Sequence, residues 1–260
     1  MKNTKVLAVF NFVAFVATVI VNGLANALPI NGKNTGELSD MYPNLFVPAG
    51  ITFSIWGIIY TMLLIFIVYQ LVLAFKKSEK AIIIHEIGWW FIISSIANCA
   101  WILAWHFVLP ELSLVIMLVL LFSLIKIYLG LKRIKTEVSK AAKWLVYPCF
   151  SIYLGWITVA TIANTTAVLV DWGWSGGVIG ETVWAIVMII IAIVMGVYFA
   201  IFRKNIAYTL VIIWAIYGIY LKRSADLIPE KGIILVSQFG MFICAFSVLY
   251  LLIRKLAKTD

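Results

Sequence analysis

The sequence predicts an all-α fold, a polytopic integral membrane bundle of eight transmembrane helices. Two observations carry this expectation. Apolar residues make up 64% of the 260 residues, charged residues only 12%, and the mean hydropathy is +1.08. A soluble domain is nearer half apolar and a quarter charged, so the bilayer must cover the surplus. The apolar residues also fall in long runs, as helices require, and not in the short alternating segments of a barrel. In hydrocarbon the helix satisfies its own backbone hydrogen bonds.

Eight runs reach spanning length: Val6–Leu28, Pro48–Phe75, Ala81–Leu109, Leu112–Leu131, Lys143–Val170, Val178–Phe202, Ile206–Leu221 and Gly232–Ile253. The seventh is the shortest, roughly 24 Å at 1.5 Å per residue. Fusing it to the sixth would bury Arg203 and Lys204 in lipid, which insertion energetics oppose. The two are therefore read as separate helices. The first run has a second reading. Lys2 and Lys5, an apolar stretch and then Ala25-Asn26-Ala27 resemble a signal peptide with a small-residue cleavage site. Cleavage there would leave seven helices.

Charge sets the expected orientation. With the N-terminus inside, only Lys33, Lys222, Arg223 and Lys231 of the 20 Lys and Arg residues fall outside. That is a strong positive-inside bias, and it places both termini in the cytoplasm of a multi-pass cell-membrane protein. The net charge of +9 does not indicate nucleic acid, because the basic residues sit between apolar runs and form no free-standing basic domain. The basic stretch Lys132–Lys143 reads as an anchor to anionic lipid. Cys99, Cys149 and Cys244 all lie inside apolar runs and read as small buried hydrophobes. The longest polar stretch, Pro29–Val47, has the Asn, Gly, Asp and Pro residues of a loop and is long enough for a lid.

The spans carry no carboxylate or Lys near their centres. Glu86, Lys126 and His85 lie near helix ends, Lys126 within snorkelling reach of the interface, and His106 lies near the outer end of the third helix. Proton pumps and ion-coupled transporters keep ionisable groups at mid-membrane, so that class is disfavoured. A nucleotide motif, a zinc pair and a nucleophile elbow are all missing. No catalytic residue, metal ligand or required cofactor is assigned.

Aromatic residues, amides and hydroxyls occupy the spans instead. Trp56 and Tyr60 share a face of the second helix. Asn98, Trp101 and Trp105 share one of the third. In the fifth, Tyr153, Trp156, Ala160 and Asn164 follow one face with Thr161 alongside. A lipid-facing Asn is costly, so these faces should turn into the bundle. There they could line an apolar pocket with a few polar groups. The competing reading is packing alone: intramembrane Asn and Thr join helices, and Trp89, Trp90, Trp144, Trp172 and Trp174 read as an interfacial belt.

The spacing is similar to that of a known family. Tyr153-Leu-Gly-Trp156-Ile-Thr-Val-Ala160-Thr161-Ile-Ala-Asn164, with Asn98-Cys-Ala-Trp101 and Phe53-Ser-Ile-Trp56-Gly-Ile-Ile-Tyr60, resembles the motifs of the TspO/MBR family. These are the tryptophan-rich sensory proteins and translocator proteins. The resemblance covers roughly residues 6–170, five helices. It suggests a TspO-like domain over residues 1–174 and an additional three-helix segment over 175–260. Ile152 stands where the family has Pro, with Pro148 one turn earlier, and the first loop is longer and lacks the usual tryptophans.

The resemblance implies a sensor or carrier that binds a planar hydrophobic ligand: a porphyrin, a haem intermediate or a sterol-like molecule. Trp56, Tyr60, Asn98, Trp101, Tyr153, Trp156, Ala160, Thr161 and Asn164 would line the site, indoles stacking and amides orienting. The expected partners are the lipid bilayer, the hydrophobic small molecule and, as an option, a second copy in a homodimer, but no nucleic acid. Two alternatives stand beside this one. The first is a transporter for a hydrophobic or amphipathic solute. The second is a porphyrin-degrading enzyme, although the spans offer no acid–base pair to support it.

Overall fold

The computed structural model describes residues 2–27, 30–76 and 81–257. Leu28 and Pro29, and Lys77, Lys80 and Lys258 of the charge pattern, lie outside the described residues. The helices in chain order are α1 (Lys2–Ala27), α2 (Thr35–Asp40), α3 (Ile55–Phe75), α4 (Ile82–His106), α5 (Pro110–Arg133), α6 (Lys140–Leu145), α7 (Tyr147–Asp171), α8 (Gly180–Ile201), α9 (Ile206–Ser224) and α10 (Lys231–Leu256). Among the described residues there is no strand, and eight helical segments are long and apolar enough to cross a membrane. Each coincides with one of the eight apolar runs. The chain is a polytopic helical membrane protein.

Local chemistry explains where the helices begin and end. Pro110 opens α5, where its missing N–H costs nothing. Ser139 caps α6 by accepting from the Ala142 amide. The Arg203-Lys204 break is a real turn. Lys204 takes a left-handed conformation with φ of 52°, and the Asn205 side chain caps α9 by accepting from the Tyr208 amide at 3.2 Å. The 19 residues of α9 are thus an independent helix. Within α4, Gly88 has φ of 53° and ψ of −143° and kinks the helix. A side chain there would be strained, so glycine suits the position.

The chain divides into two compact units. The first comprises residues 1–38 and 55–157, and the second residues 39–54 and 158–260. The boundaries cut through α2 and α7, so each of these helices contributes to both.

In the first unit α4 packs against α5 and α1, and α1 packs on α3. Phe66, Phe91 and Phe150 interlock edge to face, with ring centroids 5.1–6.1 Å apart. Buried amides join the helices: Asn11 donates to Gln70 at 3.0 Å, and Gln70 donates on to the Ala8 carbonyl at 3.3 Å. Lys126 lies over the rings of Trp90 and Phe122, a cation–π arrangement that places its charge at an aromatic face. Glu86 pairs with Arg133 at 2.8 Å.

In the second unit α10 packs on α8 and α9, and α8 packs on α9. Phe199 and Tyr208 stack, and the Tyr208 hydroxyl donates to Thr158 at 3.0 Å. The 3-10 turn Gly50–Ser54 rides on α9. The Ala49 amide donates to the Gly218 carbonyl and the Trp214 indole donates to the Thr52 carbonyl, both at 2.9 Å. A β-carbon at Gly218 would lie 2.0 Å from the Thr52 hydroxyl, so this seat requires glycine.

Candidate functional site

The polar spine of the first unit is a relay of neutral side chains. Asn22 of α1 donates to the Asn98 Oδ1 at 2.6 Å, and the Asn98 Nδ2 donates to the Tyr153 hydroxyl at 3.0 Å. Asn98 is fully buried and Tyr153 is nearly so. In a medium without water such groups need one another. The relay fixes the relative rotation of α1, α4 and α7.

Trp56 stands at the centre of an aromatic cluster beside that relay. It stacks on Tyr60 at 5.5 Å with planes 15° apart, as the four-residue spacing on α3 permits. It lies tilted against Trp101 at 6.4 Å. Tyr153 and Trp156 meet it edge to face at 6.0 and 6.2 Å. These separations fall in the range that aromatic pairs favour. Trp101, Tyr153 and Trp156 are buried, whereas Trp56 and Tyr60 are half-buried. Trp105 extends the cluster by stacking on Trp101 at 6.0 Å.

Six of the expected site residues therefore come together: Trp56, Tyr60, Asn98, Trp101, Tyr153 and Trp156. Ala160, Thr161 and Asn164 lie farther along α7, in the second unit. There Asn164 is buried and Ala160 and Thr161 are half-buried. The six side chains include no carboxylate, ammonium or imidazole. They can offer ring faces for stacking and a fixed amide for orientation.

The sequence reading missed Asn22. Thr4, Asn11, Thr18 and Asn22 are spaced by seven, seven and four residues, which places them on one face of α1. All four reach other helices, Thr18 by accepting from the Cys99 thiol at 3.9 Å. Thr4 meets the His85 Nε2 at 2.8 Å, and Asn11 and Asn22 make the bonds described above. That polar stripe in an apolar run was the available signal.

His106 has a structural task that its place near a helix end did not reveal. It is fully buried. Its Nδ1 lies 3.0 Å from the Ile30 carbonyl, which can only accept, so Nδ1 is the donor. The Nε2 then accepts from the Thr35 hydroxyl at 3.2 Å. Asn31 donates to the His106 carbonyl at 3.0 Å, and the Trp105 indole donates to the Thr35 carbonyl at 3.4 Å. The first stretch of the long loop is thereby fastened to the end of α4. Of the tryptophans expected at the interface, Trp89, Trp144 and Trp172 are exposed, Trp90 lies under Lys126, and Trp174 packs edge to face on Trp184 at 4.8 Å.

The comparisons with known proteins agree with the motifs on α3, α4 and α7. A family model described as TSPO-like protein matches residues 8–250. The match runs past the five spans that the resemblance covers and takes in α8, α9 and most of α10. No curated protein and no solved structure matches the chain. With the family model covering nearly all of the sequence, the chain belongs to the TSPO-like protein family.

Proposed function

We propose that this TSPO-like membrane protein binds a planar hydrophobic ligand, a porphyrin, haem intermediate or sterol-like molecule, and acts as its sensor or carrier. The observation that carries the reading is Trp56, whose ring meets Tyr60, Trp101, Tyr153 and Trp156 while Asn98 is pinned alongside. Sites for flat apolar molecules combine ring faces with a few oriented polar groups. The rings pack on one another, so a planar ligand enters by exchanging ring–ring contacts for ring–ligand contacts of similar worth. The half-buried Trp56 and Tyr60 give the ligand a first ring face to meet.

Equilibrium titration of the purified protein with a panel of porphyrins, haem and sterols tests the reading. Saturable binding of one planar class above the level of empty detergent micelles is expected, and its absence across the panel contradicts the proposal. Accumulation of the bound class inside sealed vesicles identifies a carrier, and binding without accumulation identifies a sensor. The orientation is part of the same reading, with both termini cytoplasmic in the cell membrane. Cysteines placed at Asn34 and at the exposed Ser175 should be labelled from outside intact cells and one at Ser139 should not. The reverse pattern would invert the topology.

A further inference from the structure

The second unit holds a cavity of about 340 Å³ that the aromatic cluster does not use, walled by residues 39–47, the first turn of α8 and the last turn of α9. The seat of the loop on Gly218 and Trp214 holds this wall in place. Pro43, Leu45 and Val47 contribute apolar lining, and the buried Tyr42 also lines the cavity. Asp40, Glu181, Lys222 and Arg223 also line the cavity.

These charges are unevenly satisfied. Lys222 pairs with Asp40 at the rim, where the carboxylate side chain is 62% exposed. Arg223 is the buried charge. Its side chain is 8% exposed and its Nη1 reaches Asp226 at 3.2 Å, but its buried Nε has no acceptor among the described residues. A buried guanidinium N–H without an acceptor is costly, so an acceptor brought by a ligand would be held strongly. Glu181 is exposed and makes no ion pair among the described residues. A simple anion would meet two lining carboxylates, Asp40 and Glu181, against two basic groups that are already paired with Asp40 and Asp226. A simple cation would leave the Arg223 Nε unsatisfied.

We propose that this cavity binds a small zwitterion with an apolar body, an α-amino acid carrying an aromatic or aliphatic side chain. Its ammonium sits on Glu181, its carboxylate on Arg223 and Lys222, and its side chain against Tyr42, Leu45 and Val47. The volume lies at the small end of ligand pockets, which suits a molecule of that size. This site is separate from the aromatic cluster and does not depend on it.

Calorimetric titration of the full-length protein in detergent tests the assignment with L-phenylalanine, 3-phenylpropanoate, 2-phenylethylamine and phosphoethanolamine as probes. L-Phenylalanine should saturate, and the two probes that lack one charge should bind about tenfold more weakly, the worth of one charge-assisted hydrogen bond. Glu181→Gln should weaken phenylalanine and phenylethylamine by about the same factor and leave phenylpropanoate unchanged. An unaltered unfolding midpoint would show that this exposed substitution spares the fold. Equal binding of the three aromatic probes would leave only an apolar cavity and overturn the proposal. Phosphoethanolamine binding as well as phenylalanine would assign the site to a lipid headgroup instead. No saturable binding of phenylalanine, or indifference to Glu181→Gln, would also overturn it.

Discussion

The two units solve the same problem by different means. In hydrocarbon, helices gain little from the hydrophobic effect and associate through close packing and interhelical hydrogen bonds. The first unit leans on polar groups and rings: Asn11 with Gln70, Asn22 with Asn98 and Tyr153, and the interlocked Phe66, Phe91 and Phe150. The second leans on small residues that let elements approach closely. Gly196 lies against Cys244 and Ile212, Gly240 against Ile193, and Gly218 against Thr52 and Pro48. The first unit should therefore fail when a polar group is stranded, and the second when space is filled.

The largest effect comes from removing most of the second unit. A chain truncated after Trp174 keeps the five spans that the resemblance covers, and we expect it to insert and to retain the Asn22–Asn98–Tyr153 relay. Residues 39–54 then lose Gly218, Trp214 and Lys222 and should become open to protease. Degradation of the whole truncated chain would mean that the division at residue 174 is not a module boundary.

A smaller break of the same kind is Gly218→Val. Its β-carbon would fall 2.0 Å from the Thr52 hydroxyl and 3.0 Å from the Pro48 β-carbon. Overpacking of this sort costs about 1–3 kcal/mol. A lowered unfolding midpoint and cleavage within 39–54 are expected, and an unchanged midpoint would deny that the loop is seated on α9.

Asn98→Leu sharpens the contrast from the other side. It keeps the number of side-chain heavy atoms but removes the Asn98 partner of Asn22 and Tyr153, at about 1–2 kcal/mol, since membrane references soften such losses. Loss of stability in detergent denaturation should be partly rescued by adding Asn22→Leu, which removes one orphan. Absence of any rescue would mean that the two amides are not coupled.

The spans were legible because each is a long apolar run bounded by charge or turn residues. Arg203 and Lys204 were enough to separate α8 from α9, and Asn205 supplies the cap that makes the break work. The cluster around Trp56 was legible as three helix faces, because periodicity places residues on a face. Periodicity does not say which faces meet, and only the packing brings Trp56 to Trp101, Tyr153 and Trp156. Asn22 escaped because each amide of α1 is isolated among apolar neighbours. The seat of Thr52 on Gly218, and the tie of His106 to Thr35, join residues far apart in sequence through shapes that no local pattern encodes. The match to the family over α8, α9 and most of α10 was likewise hidden, since the glycines, the isoleucines and the Phe199–Tyr208 stack that join those helices follow no recognised motif spacing.

The most direct test of the central claim, that the Trp56 cluster binds a planar ligand, is equilibrium titration of the purified protein with protoporphyrin, comparing wild type with Trp156→Phe, Trp156→Ala and Trp172→Phe. Trp156 is buried against Trp56, whereas Trp172 is 66% exposed. A stacked aromatic contact is worth about 0.5–1.5 kcal/mol beyond area burial, so Trp156→Phe should weaken binding roughly three- to tenfold. Trp156→Ala should weaken it further, and Trp172→Phe should leave it unchanged. Binding no stronger than that of empty micelles, or equal affinities across the four proteins, would contradict the account.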